Sequence, residues 1–222
     1  MPFSIFRIRT VAGANATAFM LGAVTFSNFF ILTLFVQQVW HYSALKTGVT
    51  FAVTAVSAVL WAGLAQFLTT KIGAKPVMII GFVAFAIGIF LYTQIASDGS
   101  FAGDLLPGYI VVGFALPFTF IPISVAALAG VQPHEAGLAS GLFNTAQQVG
   151  GAIGVAVVSS VSISHFNHLT AQGVPFAQAF TSGAQWAFWV MFGLAIASLL
   201  AAVTLIKREE LAPVREAVPA EA

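Results

Sequence analysis

The chain has 222 residues, of which 59% are hydrophobic and only 7% are charged, and its formal net charge is +1. A soluble domain carries about 25% charged residues, so this composition indicates an integral membrane protein. A net charge of +1 gives no support for nucleic-acid binding, and we expect the lipid bilayer as the partner. The absence of cysteine excludes disulfides, thiol catalysis and cysteine metal sites.

Six apolar runs follow one another along the chain, and each is near the roughly 20 residues that cross a bilayer core of about 30 Å. We predict an all-α, polytopic bundle of six transmembrane helices over residues 11–206. The short segment 1–10 and the tail 207–222 are predicted to be cytoplasmic, and the tail is expected to be disordered at its end, since its charges alternate with Ala and Pro. The predicted spans are 11–36, 48–68, 76–96, 105–128, 141–163 and 185–206.

The positive charges indicate the orientation of the bundle. With six spans, both termini lie on the same side as the loops near Lys71 and Glu135. That side holds every Lys and Arg except Lys46, so the positive-inside rule predicts cytoplasmic termini in the plasma membrane. The long segment from Ser164 to Ala184 is then predicted to be an outer loop.

The fifth span carries polar and small residues on one helical stripe, at steps of four and three residues. Amides are costly in hydrocarbon, so this stripe is predicted to face other helices or a cavity between them. The residues of the stripe are Gly137, Gly141, Asn144, Gln148, Gly151 and Val155.

The run GLASGLFNTAQQVGGAIGVAVV at 137–158 resembles the penultimate helix of the major facilitator superfamily, in its fourteen-span drug:proton antiporter branch. Three further stretches are similar to segments of that family in the same order. They are FVQQVWHYSALKTG at 35–48, KIGAKP at 71–76 and GFALPFTFIPISVAALAGVQPHEAG at 113–137.

The resemblance implies the carboxy-terminal half of a transporter that exports hydrophobic, often cationic compounds by alternating access. It implies a proton gradient as the energy source and no cofactor. The acidic loop motif and the embedded carboxylates of the family's first bundle have no counterpart here, and the basic loop with Lys71 and Lys75 lacks the family's Asp and Arg. The sequence leaves open whether Met1 is the true start. It also leaves open a separately encoded first half, a twelve-helix homodimer or an inactive remnant.

Five polar residues are candidates for lining a substrate cavity, with hydrogen bonding between helices as the alternative reading. Asn144 and Gln148 lie one turn apart on the fifth span. Thr25 and Asn28 lie near the middle of the first span, and Gln37 lies near its outer end. Some members of this family carry carboxylates on the helix that corresponds to the fifth span. This chain has amides there, so direct proton binding by this helix is not expected.

Other residues are predicted to act in helix packing or gating. Glycines permit close approach of helix backbones, and prolines within the fourth span predict a kink or local unwinding. These residues are Gly137, Gly141, Gly151, Gly154, Pro117 and Pro122.

No metal or catalytic site is expected. His165 and His168 have the spacing of a ligand pair, but they fall in the predicted outer loop without a nearby Cys or acid. A rhomboid-type Ser–His protease would need a glycine at Leu138, beside Ser140, and a histidine in the last span, which has none. A channel is disfavoured because no ring of charges or filter sequence is present.

Overall fold

The computed structural model describes residues 9–206, which form six α-helices and contain no strand. Each helix is long and apolar enough to cross a membrane, either alone or with the short turn that precedes it, so the chain is a multi-pass membrane protein. The predicted tail 207–222 and most of segment 1–10 lie outside the described residues. The helices are α1 (Arg9–Gln38), α2 (Ala44–Ile72), α3 (Ala74–Tyr92), α4 (Leu106–Leu128), α5 (Ala136–Ala171) and α6 (Phe176–Leu205).

Contacts between distant residues define the two ends of the bundle. At the end where α1 begins and α6 ends, which we call the termini end, the Lys75 ammonium donates to the Val203 carbonyl at 2.7 Å. At the opposite end, the Gln185 amide donates to the Ile95 carbonyl at 2.8 Å. A single residue, Gly73, connects α2 to α3, and it has a φ of 90°, which glycine adopts without strain.

The prediction of an outer loop at 164–184 is wrong, because residues 164–171 and 176–184 are helical. α5 has 36 residues and is therefore about 54 Å long, well beyond a core of about 30 Å. Only residues 172–175 connect it to α6. Phe166, Phe176 and Phe180 hold the two extensions together, with ring centroids 5.4 to 5.8 Å apart. α3 deviates in the other sense and ends at Tyr92 rather than at residue 96.

Small residues bring α1 and α5 together. A Cβ built on Gly150 would overlap the backbone carbonyl of Phe19, and one built on Gly22 would overlap the carbonyl of Gln147. A Cβ on Gly154 would lie 2.5 Å from the Ala23 Cα. Such backbone proximity is how membrane helices gain van der Waals contact where apolar burial offers little driving force.

The prolines of α4 lie inside an unbroken helix, so the predicted local unwinding is not observed. Pro122 has no N–H, which leaves the Phe118 carbonyl without its donor four residues on. Gly81 of α3 packs directly on that carbonyl, and a Cβ there would lie 2.5 Å from its oxygen. The Thr119 hydroxyl donates to the Ala115 carbonyl at 3.0 Å. In this bundle the proline therefore accompanies close packing of α3 on α4.

Candidate functional site

One side of the bundle is open. α3 and α6 pack together on one side, whereas α2 and α5 contact α4 and α1 without packing against each other. α2 and α5 are also the two helices in which the smallest fraction of the apolar span is buried inside the bundle. The face between α2 and α5, which we call the open face, is therefore one part of the bundle where the described helices leave membrane-spanning surface uncovered.

The polar part of the open face is the first half of α5. Asn144 and Gln148 are both exposed, as is Ser140 one turn before Asn144. Each amide offers donors and acceptors of hydrogen bonds. The two amides are thus brought together on one exposed stripe, where they are available to a ligand or to water.

Asn144 also lines a groove of about 250 Å³ between α4 and α5 near the termini end. Its wall combines apolar rings with two hydroxyls and one amide and contains no charged side chain. Mostly apolar walls with a few polar groups are typical of small-molecule sites, so this groove suits uncharged, hydrogen-bonding groups. The lining residues are Phe120, Ser124, Ala127, Leu128, Ser140, Phe143 and Asn144.

The predicted stripe of α5 does not form one continuous surface. Gly137 and Gly141 have no neighbour within 4 Å of a built Cβ, so the predicted close packing at these two glycines is not observed. Gly151, further along, is buried, and a Cβ built on it would lie 2.5 Å from the Phe26 ring. Gly151 and Gly154 both belong to the contact with α1, whereas Gly137 and Gly141 do not.

The α1 candidates lie elsewhere in the bundle. Asn28 is 1% exposed, and its Oδ1 has no hydrogen-bond partner among the described residues. Thr25 is half-buried, and its hydroxyl is likewise unpartnered there. The Gln37 amide reaches the Thr47 hydroxyl of α2 at 3.5 Å. None of these three α1 residues lines the groove that contains Asn144.

Sequence reasoning missed the apolar depression on α2. It measures about 470 Å³ and is formed mainly by Val, Ala and Leu side chains together with Trp61, whose ring meets Phe114 edge-on at 5.3 Å. The signal was present as the three–four–three spacing of Thr47, Thr50, Thr54 and Ser57, which are all buried. With its hydroxyl stripe turned inward, where Ser57 donates to the Ile110 carbonyl at 3.0 Å, α2 exposes apolar side chains outward.

The chain is similar to several curated drug-resistance proteins. It is 30% identical to a multidrug resistance protein B homolog of Mycobacterium tuberculosis over 74% of this chain and 31% of that protein. It is also 30% identical to the lincomycin resistance protein of Streptomyces lincolnensis over 97% of this chain and 43% of that protein. A puromycin resistance protein of Streptomyces alboniger is 34% identical over 62% of this chain and 28% of that protein.

These matches cover well under half of each relative, so the chain spans only part of the length of the proteins it resembles. The family model of the Major Facilitator Superfamily matches residues 2–155, which is more than half of the chain. The matched region runs from the start of α1 to the centre of α5 and includes Asn144 and Gln148. The chain therefore belongs to the Major Facilitator Superfamily.

Proposed function

We propose that this chain forms one half of a drug-efflux transporter and contributes one wall of its substrate cavity. The observation that carries the proposal is the exposed amide pair, Asn144 and Gln148, in a bundle with the composition of a lipid-embedded protein. Amides exposed to acyl chains are costly, whereas the same groups facing a water-filled cavity are solvated. The resistance named for the relatives is consistent with export of small, largely hydrophobic compounds.

A second six-helix bundle is expected to cover the open face. Together the two bundles would alternate between inward-open and outward-open arrangements around a site near the bilayer midplane. By the positive-inside rule, both termini of this chain lie in the cytoplasm. The energy comes from the proton gradient, with the proton-binding carboxylates located in the covering bundle. The covering bundle is a separate polypeptide segment, with a second copy of this chain as the competing arrangement.

Thiol accessibility tests the cavity directly, because the chain has no cysteine of its own. Asn144→Cys and Gln148→Cys are expected to react with a membrane-impermeant thiosulfonate in everted or intact membranes. Ile153→Cys, on the same helix and 49% exposed, is the matched control and is expected to react only with a lipid-soluble maleimide. Labelling of all three positions by the lipid-soluble reagent alone would rule out a cavity at the amides.

Vesicles that contain only this chain are expected to show no proton-driven export. No Asp, Glu, Lys, Arg or His lies inside any of the six predicted spans, so the chain alone offers none of the usual proton-carrying groups at membrane depth. The measurement is drug uptake into everted proteoliposomes with an imposed pH gradient, with an ionophore as the control. Uptake that disappears when the ionophore collapses the gradient would contradict this prediction and favour the homodimer.

A further inference from the structure

The α5 extension places two imidazoles on ordered helix. His165 and His168 lie three residues apart, on the part of α5 that was predicted to be an outer loop. Residues at this spacing are neighbours on a helix surface, with Cβ atoms about 5–6 Å apart. The two rings are therefore held on ordered helix and not on a solvated, irregular loop.

Both histidines line the same depression of about 610 Å³ between α5 and α6. Ser160 and Ser164 contribute hydroxyls to its wall, and Trp186 of α6 closes one side. The His165 ring lies 5.5 Å from the Trp186 ring, centroid to centroid. The depression thus has two imidazoles facing a shared space that is large enough for an ion and its waters.

Each imidazole is also fixed through one nitrogen. His165 Nε2 lies 3.0 Å from the Ser182 hydroxyl, and His168 Nε2 lies 3.0 Å from the Gln172 side-chain amide nitrogen, Nε2. Metal-binding histidines commonly use one ring nitrogen for the ion and the other for such an orienting hydrogen bond. Within residues 9–206, Nδ1 of neither ring has a hydrogen bond, so this atom remains available on both rings.

We propose that His165 and His168 form a two-imidazole site for a divalent late transition-metal ion, bound through the two Nδ1 atoms. Neutral imidazole suits Cu²⁺, Ni²⁺ and Zn²⁺, and the Irving–Williams order makes Cu²⁺ the tightest. Water completes the coordination shell, since the described residues offer no group of three or more His, Cys, Asp or Glu that would hold a metal. Such a site is independent of the amide stripe and of the transport proposal.

Binding requires a defined tautomer at each ring. The proton sits on Nε2, where the Ser182 oxygen accepts it from His165. At His168, a half-turn of the Gln172 amide presents its oxygen to the Nε2–H in the same way. No proton is gained or lost when a neutral ring exchanges tautomers, and each Nδ1 then carries a free lone pair for the ion.

The test uses the untagged full chain in detergent, titrated with Cu²⁺ and followed by electron paramagnetic resonance and calorimetry. We expect one ion per chain, with nitrogen hyperfine structure from two imidazoles and a dissociation constant in the micromolar range. His165→Ala and His168→Ala should each weaken binding at least tenfold and leave a one-nitrogen spectrum. Ser182→Ala, which removes only the orienting bond, should weaken it severalfold.

His41→Ala is the matched control, since this exposed histidine lies in the connection between α1 and α2, away from α5. It is expected to leave both the stoichiometry and the spectrum unchanged. Binding that survives His165→Ala and His168→Ala with an unaltered spectrum would overturn the site. So would an equal loss in the His41→Ala variant, because it would point to nonspecific coordination.

Discussion

Gly150→Ala is expected to destabilise the bundle by about 3 kcal/mol, the upper end of the usual range for overpacking. The added methyl overlaps the main-chain carbonyl of Phe19, and a backbone carbonyl cannot move aside as a flexible side chain does. α1 and α5 must therefore separate along the contact that also includes Gly154. The loss is expected to exceed any gain from the better helix propensity of alanine, which is about 1 kcal/mol.

Gly141→Ala on the same helix is the matched control. A Cβ at this position has no neighbour within 4 Å, so the substitution is expected to be neutral or slightly stabilising. Unfolding of both variants in mixed micelles, titrated with SDS and followed by tryptophan fluorescence, gives the comparison. Equal stability of the two variants would mean that α1 and α5 do not approach as closely as described.

The double substitution Asn144→Leu and Gln148→Leu is expected to lower export about tenfold, if the chain works as proposed. Each lost hydrogen bond to a ligand or its water is worth about 0.5–1.5 kcal/mol, and about 1.4 kcal/mol corresponds to a factor of ten. Leucine keeps the approximate size of the side chains and suits a membrane helix, so the fold is expected to remain intact. The measurement is the efflux rate of lincomycin or puromycin from the native cell carrying the chromosomal substitutions.

Val149→Leu and Ile153→Leu provide the control on the neighbouring apolar face of α5, where both side chains are nearly half exposed. This pair is expected to leave efflux within a factor of two of the wild type. Unchanged efflux in the amide variant, with normal protein levels in the membrane, would remove the two amides from the transport pathway.

The number and order of the helices could be predicted from sequence because hydrophobic length is a local property. The extension of α5 could not be predicted in the same way. Its Ser, His, Asn and Thr side chains resemble a loop in composition, yet the Thr170 hydroxyl donates to the Phe166 carbonyl at 3.0 Å and His165 pairs with Ser182. Polar side chains that bond locally and across to α6 are compatible with helix, and composition alone does not reveal such partners.

The neighbour that each helix face meets was harder to predict than the extent of the helices. A period of 3.6 residues identifies which side chains share a face, but it does not say which neighbouring helix that face meets. Gly141 and Gly151 were assigned to one stripe, although the first is open and the second lies under Phe26. The difference depends on how α5 crosses α1, which is a tertiary property set by the tight contact at Gly150.

The length of α5 also has a mechanical consequence. If α5 tilts as a rigid rod, the midpoint between Gly150 and Gly154 in its contact with α1 is the pivot, and Asn144 lies about 12 Å from it on one side and the His165 turn about 20 Å on the other. A tilt of about 10° about this point would carry the histidine end some 3–4 Å one way and the amide end about 2 Å the other. Any molecule that immobilises the connection between α5 and α6 at residues 172–175 would thereby restrain the groove beside Asn144 at the other end of α5.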